Sequence, residues 1–186
     1  MLHPEYPIRT ERLLLRPLDV TTDVDAAHAY QSDEDVCRYI PYSPRTRDQV
    51  ADRLTQARST IGGPGQVINV ALEVAATGEL IGDVVLFFHS AEHRAGEVGY
   101  VIDPRHHGNG YATEAVRALL ALAFDGLDLH RVVGRIDARN GASAAVLRRA
   151  GFRQEAHLRE NEWFKGEWTD EVVFAILADE WRSRRP

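Results

Sequence analysis

Apolar residues recur along this chain with two periods, and each period predicts one kind of element. Runs rich in branched and aromatic residues predict strands at 8–16, 67–74, 80–88, from 97 onward, 130–137, 152–158 and 172–177. Apolar spacings of three and four predict helices at 23–32, from Ser43 or Thr46 to about 59, at 112–124 and at 140–150. The segment 37–44 contains two prolines and is predicted to be a loop or a short turn. This order of elements predicts one mixed sheet with helices on its faces, an α+β fold.

Residues 97–124 combine a strand, a glycine-containing loop and a helix. Gly108 and Gly110 allow backbone conformations that a Cβ would oppose. A helix that begins at such a loop presents unpaired amides and the positive end of its dipole, which predicts a site for phosphate. Asn109-Gly110 is also the favoured centre of a hairpin turn, but the helical spacing that follows argues against a hairpin. The loop matches neither the P-loop nor the Rossmann pattern.

Length, charge and cysteine content narrow the class of protein. A chain of 186 residues is expected to form one domain, 1–186, with a frayed basic tail from about Arg182. The net charge of -6 disfavours nucleic acid as a partner. Cys37 is the single cysteine, so a disulfide framework is excluded. No apolar run approaches the roughly 20 residues of a membrane span, and the first residues lack signal-peptide features, so a cytoplasmic protein without a membrane partner is expected.

Several runs of residues resemble one family. The run from His107 to Ala112, His-Gly-Asn-Gly-Tyr-Ala, follows Glu97-Val-Gly-Tyr and Asp103-Pro104. It resembles the acyl-CoA signature of the GNAT superfamily of N-acyltransferases, with His107 where Gln or Arg is usual. The resemblance covers nearly the whole chain and implies a mostly antiparallel central sheet. Three phrases resemble the ribosomal-protein N-terminal acetyltransferase branch of that family, namely Thr10-Glu11-Arg12-Leu13, Leu158-Arg159-Glu160 and Gly166-x-Trp168-x-Asp170.

The resemblance implies acetyl-CoA as the co-substrate and a set of residues that hold it. Tyr100 and Ile102 would pair with the pantetheine arm through their backbones, as an added strand does. The Thr113 hydroxyl would assist at the phosphates, and Asn140, whose alternative is a helix N-cap, would touch the cofactor from a second motif. The loop amides would hold the pyrophosphate, contributed by His107, Gly108, Asn109, Gly110, Tyr111 and Ala112. His107 would lie beside phosphate in a pH-sensitive form. Adjacent histidines without a second ligand cluster do not predict a metal site.

Two residues are candidates for the catalytic chemistry. Glu97 is the candidate general base, acting directly or through water, and its alternative is an ion pair with Arg94, Arg135 or another arginine. Ser143 is the candidate acid for the leaving thiolate, and its alternative is an ordinary serine in the first turn of a helix. The family tyrosine that often protonates the thiolate is replaced here by Leu147.

The sequence predicts a transfer enzyme and leaves its acceptor open. We expect acetyl transfer from acetyl-CoA to a primary amine by direct attack, and the branch resemblance implies a protein N-terminal α-amine. The alternatives are a small amine or aminoglycoside, or a non-catalytic sensor that binds acyl-CoA. Residues that would line the acceptor pocket, with solvated or packing roles as their alternatives, are Tyr39, Tyr42, Glu160, Glu162 and Trp163. A homodimer is an expectation from the family alone.

Overall fold

One eight-stranded sheet runs through the protein, which we describe for residues 1–184 of a computed structural model. The strands are β1 (Ile8–Arg9), β2 (Leu13–Pro17), β3 (Gln66–Val74), β4 (Leu80–Ser90), β5 (Ala95–Ile102), β6 (Arg131–Asp137), β7 (Arg153–Phe164) and β8 (Glu167–Leu177). The helices are α1 (Val24–Gln31), α2 (Glu34–Cys37), α3 (Arg47–Gln56), α4 (Tyr111–Ala121), α5 (Gly141–Ala150) and α6 (Ala178–Arg182). A 3₁₀ turn (Pro104–His106) precedes α4, and a π-helical turn (Leu122–Gly126) follows it.

The strands follow the order β1-β2-β3-β4-β5-β6-β8-β7. Every neighbouring pair is antiparallel except β5 with β6. The predicted mixed, mostly antiparallel sheet flanked by helices is therefore confirmed. The helices after β5 and β6 supply the crossovers that a parallel pair and a reversed strand order need.

The helices cover the two faces of the sheet with separate apolar cores. Successive side chains of a strand point to opposite faces, so Val84 and Leu86 pack with Leu119 of α4, whereas Ala71 packs with α1 and α3. We call these the α4 face and the α1 face. The α1 core is small, and its buried members are Val24, Ala27, Tyr30, Val50, Leu54, Ala71 and Leu80.

Several predicted boundaries are wrong, and each has a local cause. The single strand expected at 8–16 is two strands, because Thr10 turns the chain: its hydroxyl accepts a hydrogen bond from the Leu13 amide at 3.0 Å. The expected loop at 37–44 is preceded by α2, which Asp33 caps through its side chain. Thr46, one of the two predicted caps, begins α3 with a capping box, and the helix ends at Gln56.

The last two strands are longer than the sequence predicts. They form a hairpin across Lys165 and Gly166, and β7 is an exposed edge strand whose outer residues carry no apolar pattern. The register shifts between Leu158 and Glu162, where Glu160 has a φ of 47°. Of the predicted basic tail, Arg182 ends α6, while Arg185 and Pro186 lie outside the described residues.

The pairing between β5 and β6 is confined to one end of β5. It runs from Ala95 opposite Arg131 to Glu97 opposite Val133. Beyond Glu97, residues 98–102 pair with β4, while β6 continues beside β8. The sheet therefore opens into two arms at Glu97 and leaves one edge of β5 free for an added strand.

Candidate functional site

The glycine loop lies at the far end of the open β5 edge. Asp103 starts the 3₁₀ turn by accepting the Arg105 amide at 2.9 Å. Gly108 and Gly110 then adopt left-handed conformations with φ of 79° and 82°, which a Cβ would strain. Helix α4 begins at Tyr111, directly after the loop. The positive end of the helix dipole therefore lies at the glycine loop.

Thr113 supplies a polar atom inside this helix start. Only 8% of the residue is exposed, and its hydroxyl has no hydrogen-bond partner within residues 1–184. Helix geometry also leaves the amides of residues 111–113 without intrahelical acceptors, because the first bond runs from the Glu114 amide to Gly110 at 3.1 Å. These donors suit an anion such as phosphate.

His107 turns away from the loop and back to β5. Its Nε2 lies 2.9 Å from the carbonyl oxygen of Ile102. Because a carbonyl oxygen only accepts, Nε2 must carry the hydrogen in this contact. The structure thus places the imidazole as a tie between the loop and the strand. The His107 amide is also engaged, because it donates to the Pro104 carbonyl at 3.1 Å.

Arg12 and Glu114 form a second tie, which sequence reasoning missed as part of the site. The Arg12 guanidinium donates to the Asn109 carbonyl at 2.8 Å, lies 4.8 Å from the Tyr111 ring centre and pairs with Glu114 at 2.7 Å. Glu114 also accepts from the Thr10 hydroxyl at 2.6 Å. Burial opposes ionisation of Glu114, but these hydrogen bonds outweigh it and lower its pKa. The Thr-Glu-Arg run was the signal that could have found this tie.

Glu97 lies on the α1 face at the point where the two arms of the sheet separate. Its Oε2 is 3.1 Å from His89 Nε2 and 3.7 Å from Arg135 Nε, and its side chain is 23% exposed. Arg135 also contacts Glu171, at 3.2 Å, whereas Arg94 pairs with Asp128 instead. The arginine contact foreseen as the alternative role is therefore present, together with a histidine that the sequence did not single out.

Helix α5 faces the open edge of β5 with Asn140 and Ser143. Asn140 is the N-cap, because its Oδ1 accepts the Ser143 amide at 3.0 Å. The Tyr100 hydroxyl donates to the Ser143 carbonyl at 3.1 Å, and burial raises the pKa of Tyr100 to about 12. Leu147 is buried in the core. The structure therefore brings Tyr100, Asn140 and Ser143 together at the opening and leaves Leu147 outside the chemistry.

The predicted acceptor residues fall into two groups. The Arg45 guanidinium stacks on Tyr42, with its Cζ 3.6 Å from the centre of the ring, and burial raises the pKa of Tyr42. Lys165 joins the β7–β8 hairpin to this loop by donating to the carbonyls of Tyr42, at 2.9 Å, and Cys37. The second group lies on β7 and is exposed, and it comprises Glu160, Glu162 and Trp163.

None of the helices within 1–184 has both the length and the apolar composition needed to cross a membrane. In the same residues, no group of three or more His, Cys, Asp and Glu side chains is arranged to hold a metal ion.

An open strand edge that meets a glycine loop at a helix start defines a site for an extended, phosphorylated ligand. Residues 12–153 match the family model described as "Acetyltransferase (GNAT) domain". "Uncharacterized N-acetyltransferase YnaD" from Bacillus subtilis (strain 168) is 32% identical over 174 residues, covering 94% of this chain and 98% of that protein. The crystal structure of a GNAT-family acetyltransferase from Bacillus anthracis has a TM-score of 0.83 at 30% identity, covering 92% of this chain and 98% of its own. This chain belongs to the GNAT acetyltransferase family and is an N-acetyltransferase.

Two other similar proteins carry names that mention acceptors. "Putative ribosomal N-acetyltransferase YdaF" from Bacillus subtilis (strain 168) is 33% identical over 108 residues, which are 58% of this chain and 59% of that protein. The crystal structure of spermidine N-acetyltransferase from Vibrio cholerae in complex with CoA and spermine has a TM-score of 0.78 at 24% identity, covering 93% of this chain and 99% of its own. The second likeness shows a shared fold.

Proposed function

We propose that this enzyme binds acetyl-CoA in the opening between β5 and β6 and transfers the acetyl group to a primary amine. The observation that carries the proposal is the free β5 edge at 98–102, which ends at the glycine loop of α4. The backbones of Tyr100 and Ile102 would pair with the pantetheine arm, and the amides of 108–112 would bind the pyrophosphate. The Thr113 hydroxyl, which has no hydrogen-bond partner among the described residues, would donate to a phosphate oxygen. Asn140 would contact the cofactor while it caps α5.

The chemistry we propose is direct attack without a covalent enzyme intermediate. The amine nitrogen forms a bond to the thioester carbon, the C–S bond breaks, and CoA leaves as a thiolate that takes up a proton. Glu97 accepts the proton that the amine loses, and His89, in contact with it, is placed to pass that proton to solvent. Ser143 is the proposed proton donor to the thiolate.

How strongly the reaction needs Glu97 as a base depends on the pKa of the acceptor amine. A lysine-like amine with a pKa of about 10.4 must lose its proton at a cost of about 4.6 kcal/mol at pH 7, whereas an α-amine near 8 costs about 1 kcal/mol. We propose a protein N-terminal α-amine as the acceptor. The Thr10-Glu11-Arg12 run, the Gly166-to-Asp170 phrase and the name of the YdaF relative support this choice. The alternative is a small amine, supported by the name of the spermidine enzyme of the same fold.

The test measures thiol release from acetyl-CoA with N-terminal peptides, polyamines and aminoglycosides. We expect Glu97→Gln to lower kcat by about 100-fold for an amine of high pKa and by less for an α-amine, because a general base contributes about that factor. Glu92→Gln, an exposed glutamate of the β4–β5 turn, is the matched control and should retain full activity.

The same experiment separates the enzyme from a sensor. Acetyl-CoA binding should be the same in wild type and Glu97→Gln, because the carboxylate lies on the α1 face away from the glycine loop. Tight binding without turnover of any amine would instead establish a non-catalytic acyl-CoA sensor.

A further inference from the structure

A groove of about 520 Å³ lies on the α1 face between α3 and the strands β3 and β4. We call it the arginine groove. Polar residues from α3 and its approach form one wall, and the sheet forms the other. Its lining includes Arg45, Arg53, Arg58, Asn69, Val85 and Phe87.

Two buried polar atoms in this groove lack partners. Asp83 is 3% exposed beneath the groove, where its carboxylate pairs with Arg53 and accepts from Asn69 Nδ2 at 3.0 Å. The amide nitrogen of Asn69 must face that carboxylate, so its oxygen must face the other way. Arg53 Nη1 and Asn69 Oδ1 are both buried without a hydrogen-bond partner in the described part of the chain. A buried polar atom without a hydrogen-bond partner costs free energy. Arg53 Nη1 and Asn69 Oδ1 are therefore available to a ligand as one donor and one acceptor.

The arginines of the groove are not fully neutralised. Arg45 donates to Gln31 Oε1 at 2.8 Å and stacks on Tyr42, but within residues 1–184 it forms no ion pair with a carboxylate. Arg47, two residues later, does form one with Asp25. Besides Asp83, the groove contains one carboxylate, the exposed Asp52, against the three arginines. The local charge is therefore positive in a protein whose net charge is -6.

The arginine groove continues along the sheet to Glu97. Phe87 of β4 lines the groove and pairs with Glu97 of β5. Val85, two residues away on β4, pairs with Asn69 of β3. All four residues share the α1 face. Asn69 lies two strands away from Glu97 and is offset from it by two residues along the strand direction. Their Cα atoms are therefore roughly 12 Å apart. Three extended residues span about 10 Å, so one short acceptor reaches both places.

We propose that the arginine groove binds a carboxylate that the acceptor carries about three extended residues away from its reacting amine. This inference rests on the proposed function of Glu97 and adds the chemistry of the acceptor. Arg45 and Arg53 Nη1 donate to the carboxylate, and Asn69 Oδ1 accepts an adjacent N–H of the acceptor. Polyamines and aminoglycosides, which carry further positive charges, are repelled by the same arginines. Either an acidic residue of a peptide or a small amino acid of suitable length supplies this chemistry.

The test compares acceptors that differ in one charge. The peptide pair is Ser-Ala-Asp amide against Ser-Ala-Asn amide, and the small-molecule pair is 7-aminoheptanoate against its primary amide. We expect the carboxylate member to have a kcat/KM about tenfold higher, because an ionised acceptor strengthens hydrogen bonds from arginine. The pair that shows the preference identifies the source of the carboxylate.

Variants assign the preference to the arginine groove. Arg45→Gln should reduce the preference to about twofold or less by lowering kcat/KM for the carboxylate acceptor, because a charge-assisted contact is lost. Arg47→Gln, a neighbouring arginine that pairs outside the groove, should retain the full preference. A preference that survives Arg45→Gln would overturn the assignment.

Binding measured by calorimetry with CoA present separates the two proposals. Equal binding and equal turnover of both members of each pair would overturn the carboxylate inference and leave the acetyltransferase reaction standing. A binding preference for the carboxylate with no turnover of any acceptor would support the inference and refute the proposed reaction of this site. A clear preference for spermidine would also overturn the inference, because it requires a groove that favours cations.

Discussion

Residues of the same type have different roles at this site, depending on their neighbours. The sequence drew attention to His107, whose ring contacts the carbonyl of Ile102. His89, which carries no motif, lies 3.1 Å from Glu97 because the β4–β5 register places it there, beside the irregularity between Phe88 and Ser90. A side chain's partners are thus set by register, which local sequence patterns do not report.

Thr113 offers a test in which stability and binding change in opposite directions. Thr113→Val replaces a buried hydroxyl, which has no partner in the part of the chain that the structure describes, by a methyl group of similar size. We expect the free enzyme to gain about 0.5–1 kcal/mol of unfolding free energy, because an unsatisfied buried hydroxyl is removed. The KM for acetyl-CoA should rise about threefold to tenfold, because a hydrogen bond to phosphate is lost. Thermal melts and steady-state kinetics on the same preparation measure both, and an unchanged KM would remove Thr113 from the cofactor site.

At the scale of elements, the start of α4 is fixed by the turn between β1 and β2. Glu114 accepts from the Thr10 hydroxyl and from the backbone and side chain of Arg12, which lies 102 residues earlier in the chain. Arg12 also holds the Asn109 carbonyl of the loop. The glycine loop is therefore held from both sides, by the Arg12–Glu114 tie and by the His107 contact with β5.

This tie gives a pH-dependent contribution to stability. Glu114 has a lowered pKa in the folded protein, so its contribution is fully present above the unfolded pKa of about 4.3 and is lost as the pH falls through the lower folded value. We expect Glu114→Gln to lower the free energy of unfolding by about 1 kcal/mol at pH 7, since charge-assisted hydrogen bonds are weakened. The difference from wild type should shrink as the pH falls below about 4.

Denaturant titrations at several pH values check this expectation. Glu92→Gln is a suitable control, because Glu92 is exposed in the turn before β5. A loss in Glu114→Gln that stays constant from pH 7 to about pH 3 would show that the carboxylate charge contributes nothing.

At the scale of the whole molecule, the sheet is two antiparallel blocks joined by the short parallel pairing of β5 with β6. Beyond Glu97 the blocks are linked across the opening by the contact between Tyr100 and Ser143, at 3.1 Å. A ligand that pairs with β5 and touches α5 would add contacts between the two blocks. Its binding should therefore stabilise the entire fold.

Saturating CoA is the corresponding test. At 100 times its dissociation constant, a ligand specific for the folded state adds about 2.7 kcal/mol, and a domain of this size gains about 2–4 °C per kcal/mol. We expect Tm to rise by about 5–10 °C, by less in Thr113→Val, and EDTA to change neither Tm nor turnover. Differential scanning fluorimetry measures the shift, and a Tm that does not respond to CoA would refute binding in the opening.

The sequence by itself determined the succession of strands and helices from residue 66 to 177 and the left-handed glycines of the loop. These features are local: hydrophobic period selects the element, and the lack of a Cβ permits the positive φ at Gly108 and Gly110. The early turn at Thr10 and the exposed edge strand β7 were misread, because polar turn contacts and solvent-facing residues leave no apolar pattern.

The tertiary structure alone decided how these elements form a site. The end of the β5–β6 pairing at Glu97, the tie of Arg12 to Glu114 and the gathering of Arg45, Arg53 and Asn69 join residues far apart in the chain. Such contacts depend on strand register and on which face of the sheet each helix covers. A one-residue change in register would move strand side chains such as Glu97 and Asn69 to the opposite face, so no local pattern could have specified these contacts.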